Sequence, residues 1–119
     1  MVRRFIDLED RDLAKIPKLS EDHSCIGAER IYLHLYNKKK MHWYIAEYGS
    51  IGKKFFGFFE DKVNGICSGV CTLEELKEWS KKGSAWEPIV DDNWIVIEAK
   101  EIPSLLGYIK MMVSMPDQL

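Results

Sequence analysis

Cys67, Cys71, His34 and His42 carry the thiols and imidazoles that could act together in this 119-residue chain. Two chemistries use such a set: zinc binding, and nucleophilic attack by a thiolate beside a histidine base. The spacing Cys67-x3-Cys71 occurs in some zinc sites, but Ile66 to Cys71 reads as a strand. Residues four apart on a strand share a face yet lie roughly 13 Å apart, at about 3.3 Å per residue. Two thiols so placed cannot share a zinc ion at about 2.3 Å each. Nor do they meet the disulfide limit of about 7 Å between Cα atoms. The expectation is no bound metal and no cofactor. The catalytic alternative is a small Cys–His hydrolase. Cys71 stands just before a helix start, where the positive helix end could lower a thiol pKa, and His34 or His42 would serve as base. No cysteine-enzyme signature surrounds Cys71, so the plainer reading is a packed thiol at a strand end.

Other residues offer less chemistry. Glu47 reads as a solvent-facing residue more readily than as a buried acid. Glu74, Glu75 and Glu78 make a solvated helix face, and Gly49 to Lys54 lacks the spacing of a phosphate-binding loop. The turns Lys38-Lys39-Lys40 and Lys53-Lys54 flank strands rich in aromatics. An aromatic sheet face with basic edges can stack single-stranded bases. That alternative names Lys38, Lys39, Lys40, Lys53, Lys54 and Tyr44 as nucleic-acid contacts. Against it stand the formal net charge of −2 and the ordinary use of lysines to solvate turns.

These residues need elements to hold them. A short helix is expected over residues 8–15, capped by Asp7 and stopped by Pro17, followed by a polar loop over 20–29 that carries Cys25. Ile31–Tyr36, Trp43–Tyr48, Phe55–Phe59 and Ile66–Cys71 read as four strands joined by short turns, hence as antiparallel neighbours. Thr72 with Glu75 forms a capping box for a helix ending near Gly83. Trp94–Ile97 reads as a fifth strand, and Pro103 opens a last helix to about Val113. The fold class is therefore α+β: an antiparallel four- to five-stranded meander sheet with an N-terminal, a middle and a C-terminal helix. Trp43 and Phe56 belong to its core.

Hydrophobic residues make up 46% of the chain and charged residues 30%, a globular balance that fits one domain over residues 1–119. Three cysteines without a secretory framework, and a start that lacks an apolar h-region, indicate a cytoplasmic protein with reduced thiols. The longest apolar stretch is too short to span a bilayer, so no membrane association is expected. That stretch is also the least ordinary element. Leu105, Ile109 and Met112 share one side of the last helix and should face the sheet. Leu106, Tyr108, Met111 and Met115 remain for a protein partner or a second copy, and methionines suit such a surface.

Ile16-Pro17-Lys18-Leu19, Trp43-Tyr44-Ile45-Ala46-Glu47-Tyr48, Phe55-Phe56-Gly57-Phe58 and Gly69 to Leu76 occur in an order that resembles a family of small bacterial proteins. That family is classed as a domain of unknown function and is often encoded on plasmids, phages and integrative elements. The resemblance covers roughly residues 8–79 and fades beyond residue 80, where this chain continues into its apolar helix. It implies no established activity and no catalytic residues, and it suggests an accessory role in a mobile element. The expectation is a non-enzymatic small protein-binding module, a mobile-element accessory factor acting on a host or rival protein.

Overall fold

Apolar residues on both faces of the middle strands require that the sheet be covered twice. The computed structural model describes residues 3–20 and 29–114, with side chains through Met112. In chain order the strands are β1 (Arg3–Arg4), β2 (Arg30–Ile31), β3 (Leu33–Tyr36), β4 (His42–Gly49), β5 (Lys54–Asp61), β6 (Gly65–Thr72), β7 (Ile89–Val90) and β8 (Ile97–Glu98). The helices are α1 (Asp10–Leu13), α2 (Leu73–Lys81) and α3 (Pro103–Ser114), with 3-10 turns at Phe5–Asp7 and Ala99–Glu101. Six strands form an antiparallel sheet in the order β1-β7-β3-β4-β5-β6, and β2 pairs with β8 apart from it.

The α+β class and the antiparallel meander from β3 to β6 agree with the sequence reading. The strand count and the helix arrangement differ. Two short strands, β7 and then β1, extend the sheet beyond β3. The strand expected at residues 94–97 shrinks to Ile97–Glu98 and joins β2 instead. Trp94 explains the loss. Its backbone N–H closes a turn onto the Asp91 carbonyl at 3.2 Å, and its indole Nε1 donates to the Ile31 carbonyl at 2.8 Å. The helix expected over 8–15 is one turn, α1. Asp7 cannot cap it, because its carboxylate accepts the Arg4 N–H at 3.0 Å and closes the preceding 3-10 turn. Glu9 takes the cap position, and its N–H donates to Asp12 Oδ2 at 2.9 Å. The start of α2 follows expectation: Thr72 Oγ1 accepts from the Glu75 N–H at 3.2 Å, and Glu75 Oε1 accepts from the Thr72 N–H at 3.1 Å. Cys25 and Met115 lie outside the described residues. Among the described residues no helix is long and apolar enough to cross a membrane.

Two cores result, one on each face of the sheet. Leu33, Leu35, Trp43, Ile45, Phe55 and Cys71 pack with Phe5, Ile16 and the α2 residue Leu76. Tyr44, Ala46, Phe56 and Phe58 pack on the other face with Ile31, Ile102, Leu105 and Ile109. Trp43 and Phe56 are buried as expected, on opposite faces. The long helices therefore lie on opposite sides of the sheet.

A β-bulge interrupts β4 between Ile45 and Glu47. Without it, Glu47 would follow Trp43 and Ile45 into the first core. The extra residue brings Tyr48 there instead, and Glu47 Oε1 accepts the Ser20 N–H at 2.8 Å. Opposite the bulge stands Gly57. A Cβ on Gly57 would lie 1.9 Å from the Tyr44 carbonyl oxygen, so the two backbones approach more closely than any side chain permits. Gly57→Ala is expected to destabilise the domain by roughly 2–3 kcal/mol or more, because backbone and not a flexible side chain must move. Gly107→Ala, within α3 and facing open space, should instead stabilise by up to about 1 kcal/mol. Urea unfolding of the two variants checks both signs.

Candidate functional site

Alternation along β3 turns His34 toward the face that α3 covers, and β4 brings its partner Tyr44 alongside. His34 is 9% exposed and both nitrogens of its ring are engaged. Nδ1 lies 2.8 Å from Asp91 Oδ2, and Nε2 lies 2.9 Å from His42 Nδ1. Burial lowers the His34 pKa and outweighs the hydrogen bond to Asp91 that raises it, while His42 lowers it further. The neutral ring has one consistent arrangement: Nδ1–H donates to the Asp91 carboxylate, and Nε2 accepts from His42 Nδ1–H. The rings of His34, His42 and Tyr44 stack, with His34 and Tyr44 4.8 Å apart and 6° from parallel. Trp94 closes over His34 at 4.9 Å. The Tyr44 hydroxyl meets Ser104 at the start of α3 and Glu60 on β5, and burial raises the pKa of this phenol. A relay of Asp91, His34 and His42 thus has a buried middle member between two half-buried ends, able to hold or pass a proton along its length.

The sequence reading singled out both histidines without joining them. Tyr36 faces His42 across the turn at 37–41, so His34 and His42 are diagonal neighbours on one face. That register could have been counted from the hairpin. Asp91, distant in sequence, gave no such signal. Asp91 also accepts the Asn93 N–H at 3.0 Å through Oδ1, so one carboxylate both shapes the turn and orients the imidazole.

Cys71 is not brought to this cluster. It belongs to the first core, on the opposite face of the sheet from His34 and Tyr44. Burial, with a smaller contribution from Glu75, pushes the Cys71 pKa up to about 12. The helix start beyond it does not make it a thiolate, because loss of water outweighs the helix field. Cys67 and Cys71 are free thiols on β6, the first exposed and the second buried. Among the described residues, no group of three or more His, Cys, Asp or Glu could hold a metal ion.

The basic residues divide. Lys38, Lys39 and Lys40 occupy the turn before β4, and Lys53 and Lys54 stand beyond its far end. The eight residues of β4 separate them by roughly 26 Å at about 3.3 Å per residue. Tyr44 is 6% exposed and covered by its neighbours, so it offers no ring face for stacking. The tryptophans near the first lysine group are Trp79 and Trp86, which stack with centroids 5.5 Å apart. Trp79 belongs to α2 and Trp86 to the connection between α2 and β7.

On α3, Leu105 and Ile109 are buried and Met112 is half-buried. Leu106 and Met111 are exposed. Tyr108 turns inward: its hydroxyl lies 3.0 Å from Ser68 Oγ, and its ring meets Phe58 edge-on at 6.2 Å. These contacts dock α3 against β5 and β6.

The relay makes stability depend on pH. The folded His34 pKa is lowered from 6.5, so the unfolded chain binds more protons as the pH falls through that value. The contribution is complete above about pH 6.5 and is lost progressively below it. The urea midpoint should therefore fall between about pH 7.5 and pH 5.5, and His34→Asn should flatten that slope. An unchanged slope in the variant would show that His34 is not the titrating group.

The chain matches no protein-family model, and comparisons with curated proteins and with solved structures found no match.

Proposed function

We propose that this protein is a non-enzymatic protein-binding module that takes a strand of its partner onto the outer edge of β6. The observation that carries this reading is the contrast between the two ends of the sheet. At one end β1 has two residues, both arginines, each tied to carboxylates: Arg3 to Asp12 and Asp92, Arg4 to Asp7 and Glu87. Short, charged edges resist pairing. At the other end β6 runs for eight residues, Gly-Ile-Cys-Ser-Gly-Val-Cys-Thr, with neither a charge nor a proline. Among the described residues no strand pairs with its outer side. Val70 on this edge is 48% exposed. An edge of that kind offers backbone donors and acceptors to an extended peptide, with side-chain contacts setting the choice of partner.

The exposed Leu106 and Met111 of α3 extend the apolar surface available beside the sheet. The resemblance of residues 8–79 to small proteins of plasmids, phages and integrative elements supports a narrower reading, an accessory factor that engages a host or rival protein in the cytoplasm. A second copy of the chain is the other occupant that the same edge would accept.

Val70→Lys and Cys67→Lys place charges on exposed positions of β6 and should leave thermal unfolding nearly unchanged. Each should abolish the recovery of a partner that the unaltered protein captures from its native host, or abolish dimers in sedimentation if the partner is a second copy. Undiminished association by both variants would remove β6 as the binding edge.

A further inference from the structure

The end of α2 and the turn before β4 meet in a second surface that strand addition at β6 does not use. Trp79 lies in the last turns of α2, and Trp86 follows in the connection to β7; their rings are 17° from parallel. Trp43 steadies Trp79 from the core side with an edge contact at 6.4 Å. Lys82 Nζ lies 4.6 Å from the centre of the Trp79 ring and 5.2 Å from that of Trp86. Lys39 Nζ lies 5.0 Å from Trp86. Two cations drawn from separate segments thus converge on one pair of stacked indoles.

A buried amide builds this arrangement. Asn37 is 3% exposed. Its Oδ1 accepts the N–H groups of Lys39 and Met41 at 3.0 and 3.1 Å, and its Nδ2 donates to the Trp86 carbonyl at 3.0 Å. One side chain therefore shapes the lysine turn and fastens it to the tryptophan segment. Lys40 completes the turn with a φ of 63°. Lys38, Lys39, Lys40, Lys81 and Lys82 are all exposed here. Lys81 is paired with Glu78 at 3.5 Å, whereas among the described residues no carboxylate pairs with the other four. A chain of net charge −2 so keeps a local excess of positive charge around its stacked rings.

We propose that this surface binds single-stranded nucleic acid, with bases stacking on the Trp79–Trp86 pair and the lysines meeting the phosphates. A planar polyanion uses both features at once. An acidic peptide would use the lysines and leave the indoles without a role, and a duplex hides its base faces within its own stack. Lysine contacts with these half-buried rings are weaker than base stacking, so Lys39 and Lys82 can swing from the indoles onto phosphates as bases arrive.

The test is the fluorescence anisotropy of a labelled thymidine oligomer of about twelve nucleotides, long enough to span one binding module. It is titrated with the full chain at several salt concentrations from about 50 mM upward. The expected result is affinity that falls steeply with salt. Trp86→Leu should weaken it about tenfold without changing the salt dependence. Lys39→Glu with Lys82→Glu should weaken it at least as much and reduce that dependence. Lys53→Glu with Lys54→Glu, at the far end of β4, should change little. The exposed lysine pair keeps the test decisive if Trp86→Leu fails to fold. No binding at the lowest salt, equal affinity for a duplex or for polyglutamate, or an affinity that the Lys39 and Lys82 changes leave intact would each overturn the proposal.

Discussion

At Gly57 the backbones of β4 and β5 come so close that a single methyl group would strike the Tyr44 carbonyl. Much of the domain follows from that approach. It accommodates the bulge of β4, and the bulge exchanges the residues presented to each face beyond Ile45. Tyr48 enters the first core as a result, and its backbone then anchors the amino-terminal segment. Its N–H donates to the Pro17 carbonyl at 2.9 Å, and its carbonyl accepts the Leu19 N–H at 3.2 Å. In a sheet that is core on both sides, a slip of one residue would misplace every buried aromatic at once. The bulge and its opposing glycine pin the register against that slip.

The histidine relay occupies the same face as the α3 core and meets a different constraint. Polar rings placed among aromatics lose water, and this loss is offset only when their nitrogens find partners. Asp91 and His42 complete the hydrogen bonding of His34, while Trp94 and Tyr44 cover its faces. The turn at residues 91–94 thereby links β3, β7 and the small β2–β8 sheet. Its aspartate holds His34 on β3, and its tryptophan donates to the Ile31 carbonyl on β2.

Local signals in the sequence identified the elements whose structure depends on near neighbours. The Thr72–Glu75 box, the four meander strands and the proline start of α3 all rest on contacts a few residues apart. The misreadings arose where a distant partner decided the outcome. Trp94 was read as a strand residue by propensity, but the Ile31 carbonyl and the His34 ring draw it into a turn. Asp7 has the composition of a helix cap, yet Arg4 already uses its carboxylate. Only the nucleic-acid alternative required an exposed Tyr44, and its burial follows from α3 returning across the second face. Tyr108 was one of the surface residues of α3 until Ser68 supplied a partner for its hydroxyl. The basic turns were visible, but only the folded chain shows that the first meets Trp86 and the second lies far away.

The unequal edges of the main sheet also bear on stoichiometry. A sheet open at both ends can add neighbours without limit and grow into a fibre. Here the arginine-capped β1 end resists further addition. A strand accepted at β6 satisfies the only long unpaired edge of this sheet among the described residues. Two copies meeting edge to edge would each use the same strand and leave only protected ends outward, a closed pair related by a twofold axis. With a foreign strand the outcome is one partner per chain. Under the proposed strand addition, such a sheet would accept a single neighbour at β6 and present no second open edge for growth.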